Sequence, residues 1–117
     1  MVHICCQQDV TVVELRSRYD SLDLKVLDEF GETLIAAVER ATPPLLLLDL
    51  SGTDYIGSSF IEQLLRAWKE IEARQGRMVL CGANPFCLEV LQTTRLDTLW
   101  PVFGTRDEAI EDLAKPL

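Results

Sequence analysis

Histidine occurs once in this 117-residue chain, at His3, and no G-x-S-x-G segment occurs at all. General-base and serine-nucleophile chemistry has little raw material here, so the chain does not read as an enzyme. Cysteine is sparse. Cys5, Cys6, Cys81 and Cys87 contain no C-x-x-C pair and are too few for a disulfide scaffold, so reduced thiols are expected. A metal site built from His3, Cys5 or Cys6 and Cys81 matches no ligand spacing; no metal and no cofactor is expected. Basic residues are the minority, 11 against 19 acidic, for a net charge of −8. Without clustered Lys and Arg, nucleic acid and anionic membrane are disfavoured as partners, and a basic protein face fits better. No apolar run approaches the ~20 residues that span a bilayer. The N-terminal M-V-H-I-C-C-Q-Q-D lacks a basic region and a long apolar region, which implies a cytoplasmic protein with no membrane insertion.

What is present is one domain's worth of alternating elements across residues 1–117. Residues 2–6 and 10–16 pattern as strands, the second rich in β-branched residues, with a tight turn at Gln7, Gln8 and Asp9 making a hairpin. Asp20 or Ser21 is placed to cap a helix with Leu24, Leu27, Phe30, Leu34, Ile35 and Val38 inward; Gly31 reads as a weak point in it. Pro43 and Pro44 stop that helix. The leucines of residues 45–50 read as an interior strand with Asp49 at its rim, where loop amides reach it.

A second helix carries Ile61, Leu64, Leu65, Trp68 and Ile71 as one stripe, and Gly76 is expected at its C-terminus. Residues 78–81 form a strand. Asn84 caps a short helix that starts at Pro85 and turns Phe86, Val90 and Leu91 inward. Residues 99–103 read as an edge strand because of Pro101. Thr105 and Glu108 form a capping box for a final helix with Ala109, Ile110 and Leu113 buried. The expected fold is α/β: a mixed sheet of about five strands with about four helices packed against it.

The loop between the leucine strand and the second helix delivers Ser58 and Ser59 to the helix mouth. Such a pair can cap, accept phosphate or act as nucleophile; the distant single histidine disfavours the last. Glu62 lies three residues after Ser59, so Ser59 reads as the N-cap of a capping box and Ser58 is left over. Asp49 at a strand end also invites comparison with phospho-receiver domains. Those need further carboxylates after the first strand, where this chain has Cys5 and Cys6, and a late lysine, where it has only Lys25, Lys69 and Lys115.

The element order, the strand ending Asp49-Leu50-Ser51-Gly52, the helix-opening Gly57-Ser58-Ser59-Phe60 and the segment from Leu91 to Asp97 resemble the STAS family, the sulphate-transporter and anti-sigma-factor-antagonist domain. The resemblance covers nearly the whole length. It implies an anti-sigma factor antagonist-like regulatory module whose partner is an anti-sigma factor/serine kinase. By position it implies phosphorylation at Ser58 and a partner-binding surface of Asp54, Tyr55, Gly57, Ser58, Ser59 and Phe60. This sequence departs from the family pattern at Gly57, usually aspartate, and at Phe60, usually glycine. The alternative is an adaptor subunit of a larger signalling or lipid-transport assembly, not phosphorylated, with Phe60 as its apolar anchor.

Overall fold

The computed structural model describes residues 2–15, 24–53 and 56–114, with side chains placed from residue 3 in the first stretch and residue 28 in the second. Strands β1 (Val2–Gln7) and β2 (Val10–Leu15) form the expected antiparallel hairpin. Its two turn residues, Gln8 and Asp9, both have positive φ (51° and 67°). That mirror-image turn matches the right-handed twist of the strands it joins. The chain continues through α1 (Leu24–Arg40), β3 (Leu45–Asp49), α2 (Ser58–Ala73), β4 (Arg77–Cys81), α3 (Pro85–Thr93), β5 (Val102–Phe103) and α4 (Arg106–Ala114). The cap expected at Asp20 or Ser21 lies outside the described residues.

The strands make one mixed sheet in sequence order, β1-β2-β3-β4-β5, parallel from β2 onward. Successive parallel neighbours joined by right-handed crossovers must put every crossover helix on the same side. The core divides accordingly. Leu46, Leu48, Met78 and Leu80 face Phe30, Leu34 and Val38 of α1, Phe60, Leu64 and Ile71 of α2, and Cys87 and Leu91 of α3. Val10, Val12, Leu47, Val79 and Cys81 face the opposite way, toward Ala109, Ile110 and Leu113 of α4. The central strand is thus covered on both faces, which is why its leucines run without alternation. Each such leucine contributes about 1.5–3 kcal/mol on burial. Among the described residues no helix is long and apolar enough to cross a membrane.

Gly31 is not simply a weak point. A side chain there would lie 2.0 Å from Gln63 Oε1, so the glycine lets α1 and α2 close around the buried Gln63, which accepts from Arg66 Nη1 at 2.8 Å. The rings of Phe30 and Phe60 stack beside it, centroids 5.1 Å apart.

The end of α2 corrects the expectation for Gly76. The left-handed residue is Gln75, at φ 59°. Gly76 N–H bonds Ile71 O and Gln75 N–H bonds Glu72 O, the paired pattern of a Schellman turn, with Gly76 one place beyond the left-handed position. Gly76 is required instead by proximity, since a Cβ would lie 2.2 Å from the Pro44 carbonyl oxygen. A non-glycine residue pays about 1–2 kcal/mol in that conformation. Gln75→Gly is therefore expected to raise stability by about 0.5–1 kcal/mol after the entropy of the freer unfolded chain is subtracted. Urea unfolding should show a higher midpoint with an unchanged slope.

Two further details differ from the sequence reading. Phe86 is 46% exposed, and Cys87 and Leu91 are the fully buried residues of α3. Only Val102 and Phe103 pair with β4. Trp100, ahead of them, is fully buried against the α1–α3 side of the sheet, while Leu99 is exposed. The short β5 is an edge strand, as Pro101 implied.

Candidate functional site

The carboxyl ends of the parallel strands share one rim, the usual place for function in an α/β sheet. Asp49 closes β3 there. Its Oδ1 accepts from Ser51 N at 2.9 Å and from Ser51 Oγ at 2.6 Å, which folds the loop back on the strand end. Its Oδ2 accepts from Arg106 Nη2 at 2.7 Å and from Nε at 3.2 Å. Arg106 is the first residue of α4, 57 positions away, and also pairs with Glu14 Oε1 on β2 at 2.9 Å. Burial pushes the Asp49 carboxyl up, but hydrogen bonds from Ser51 and Arg106 outweigh it and hold the group below its ordinary range. Chiefly through the Asp49 hydrogen bond, the same contacts hold Arg106 firmly protonated. The neighbouring Cys81 thiol is pushed up to about 12, first by burial and then by the Asp49 charge, which leaves it inert at neutral pH.

Beyond Ser51 the loop is fastened from inside. Thr53 N–H bonds Leu50 O at 2.9 Å. Thr53 O accepts from Asn84 Nδ2 at 3.4 Å, tying this loop to the one that opens α3. Asn84 Oδ1 also receives Cys87 N–H at 2.7 Å, the cap expected from the sequence. At Gly82, φ 71°, a side chain would crowd Ser51 Cβ and Asp49 Oδ1 at 3.0 and 3.1 Å. A glycine is needed there on both counts.

The mouth of α2 overturns one sequence expectation. Ser59 is not the N-cap. Gly57 holds that place, extended at φ −111°, ψ 178°, with no side-chain cap bond. Its carbonyl receives the first helical N–H, from Ile61, at 3.0 Å. A capping hydroxyl must sit on the last non-helical residue, and Ser59 is already the second helical one. Ser58 is the first helical residue and exposed; Ser59 is half-buried. The amides of the first turn have no partner within the helix, and that turn carries no acidic side chain, so it favours added negative charge.

Phe60 overturns another. It is 0% exposed and stacked on Phe30, so it is a core residue and not a partner anchor. The substitution of bulk for the usual glycine is absorbed inward. Gly57 is buried as well. Asp54 and Tyr55 lie outside the described residues. Of the expected partner-binding set, Ser58 and part of Ser59 face outward. Phe86, on the first turn of α3 beside the Asn84–Thr53 link, is exposed where the sequence reading had it inward. Arg106 was missed with no local signal at all.

Among the described residues no grouping of His, Cys, Asp and Glu at this loop could hold a metal; the one such grouping lies on β1 and β2. The sequence profile of the STAS domain matches residues 3–109. The anti-sigma F factor antagonist of Lysinibacillus sphaericus is 26% identical over 93 residues, covering 80% of this chain and 79% of that protein. A protein named as an anti-sigma factor antagonist, BtrV of Bordetella bronchiseptica, is 33% identical over 64 residues, and the match spans about half of each chain, 55%. The solved anti-sigma-factor antagonist (STAS) domain protein of Planctomyces limnophilus superposes with a TM-score of 0.85 at 36% identity, covering 97% of this chain and 98% of that one. The phosphorylated form of the Bacillus cell fate determinant SpoIIAA shares the fold, with a TM-score of 0.69 at 20% identity over 96% of this chain and 98% of that one. The chain belongs to the STAS domain family.

Proposed function

We propose that this chain is a regulatory, non-catalytic protein-binding module of the anti-sigma factor antagonist type, controlled by phosphorylation at Ser58. The observation that carries the reading is the setting of Ser58: exposed, at the first position of α2, on a loop braced by Asp49, Ser51 and Thr53. A phosphate there adds about −1.5 to −2 charges where the helix dipole tolerates them, and where a docked partner surface would not. The names of the relatives support the antagonist role, and the existence of a phosphorylated form of SpoIIAA supports the switch. The partner on this reading is an anti-sigma factor/serine kinase. The adaptor alternative relied on Phe60 as its exposed anchor and loses that support with Phe60 buried.

Ser58→Ala is expected to hold the partner as tightly as the native chain and to carry no phosphate. Ser58→Asp is expected to weaken binding at least ~10-fold. Affinity purification from the native cell, with phosphosite mapping on the same sample, checks both. No phosphate at Ser58 beside a competent kinase, together with full binding by Ser58→Asp, would remove the switch.

A further inference from the structure

We propose that His3, Cys5 and Glu14 form a binding site for one thiophilic divalent cation, with Zn2+ as the cation of best chemical fit. In the β1–β2 register His3 stands opposite Glu14 and Cys5 opposite Val12. The two-residue period of a strand puts His3 and Cys5 on one face and Ile4 and Cys6 on the other. One ring nitrogen of His3, the Cys5 sulfur and one carboxylate oxygen of Glu14 lie within 4.8 Å of one another. His3 Nδ1 and Glu14 Oε1 are 3.6 Å apart. Tetrahedral zinc, with bonds of about 2.0–2.2 Å to nitrogen and oxygen, separates two such atoms by roughly 3.4 Å. Small side-chain rotations therefore bring all three onto a common ion.

A His–Glu ion pair would account for two of these groups and leave the thiol unused. One nitrogen, one sulfur and one oxygen donor suit zinc, while Mg2+ and Ca2+ demand oxygen. The surroundings suit it also. Arg106 Nη2, 2.9 Å from Glu14 Oε1, orients that carboxylate, as hydrogen-bond partners of the ligands do in metal sites. Charge closes: Cys5 thiolate, Glu14 and Asp49 supply three negative charges against Zn2+ and Arg106. Binding releases the Cys5 proton, and three protein ligands leave a fourth position for water. Access is provided by the edge strand β1, where the His3 side chain is 50% exposed. The site is independent of Ser58 and its proposed switch.

The test is a Co2+ titration of the untagged, reduced full chain, followed by displacement with Zn2+. One equivalent should bind, with a thiolate-to-cobalt charge-transfer band and the intense d–d bands of a four-coordinate ion. Cys5→Ser should abolish the charge-transfer band. His3→Gln and Glu14→Gln should each weaken binding at least ~10-fold. Cys6→Ser, on the opposite face, should bind as the native chain does. Circular dichroism confirms folding, and His3→Gln, at a half-exposed position, keeps the test valid if a Cys5 variant fails to fold. A native chain without the charge-transfer band, a band that survives Cys5→Ser, or one that disappears in Cys6→Ser would each overturn the site.

Discussion

Phe60→Ala is expected to destabilise the fold by about 3–5 kcal/mol, the largest single effect of any substitution at the α2 mouth. The ring is 0% exposed, stacks on Phe30, and lies among residues of α1, α2 and the sheet. Its removal costs the transfer free energy of the ring and leaves a cavity that two packed helices cannot close. Phe86→Ala, at a 46% exposed position, is expected to leave stability within about 0.5 kcal/mol. Urea denaturation of both variants, with binding by the purified partner measured for Phe60→Ala, checks the contrast. If Phe60→Ala kept the native midpoint and lost only binding, the placement of Phe60 in the core would be wrong.

Arg106→Ala is expected to cost about 2 kcal/mol at pH 7. Breaking a fully buried pair costs about 3–5 kcal/mol, and the figure is reduced here because the Arg106 side chain is 29% exposed. Asp49 would keep its Ser51 bonds but lose its counter-charge, and Glu14 would lose one as well. The pH dependence follows from the depressed Asp49 carboxyl. Despite burial, bonds from Ser51 and Arg106 hold it below the ordinary carboxylate range, so its stabilisation is present above about pH 4 and lost as pH falls through the folded value. The gap between native and Arg106→Ala midpoints should therefore be widest near neutrality and narrow in acid. A gap that stayed constant down to pH 2–3 would show that the pair adds packing and not charge.

Much of the architecture was legible along the chain because it is local. Strand and helix periods, Asn84 before Pro85, Thr105 three residues before Glu108, and Pro101 just ahead of the last strand each speak through neighbours a few residues apart. The structure keeps both caps and the edge place of the last strand, with Thr105 Oγ1 donating to Glu108 Oε1 at 3.0 Å and receiving Glu108 N–H at 3.3 Å. Once those elements alternate, handedness leaves little freedom for the sheet. Errors came where one position decides the outcome. Starting α2 two residues earlier moves the cap from Ser59 to Gly57. It is the α1–α2 contact that draws Phe60 inside, and a helical wheel of α2 alone does not contain that contact.

The sequence by itself determined the element order, the mixed sheet and the position of Ser58 at a helix mouth, since these follow from short-range patterning and backbone chirality. Only the tertiary structure decided which of the loop residues face outward. It alone joined Asp49 to Arg106 and Glu14, and gathered His3, Cys5 and Glu14 on one strand face. Asp49 and Arg106 lie 57 positions apart and meet because of the side of the sheet where α4 packs, while His3, Cys5 and Glu14 are brought onto one face by the register of the β1–β2 hairpin.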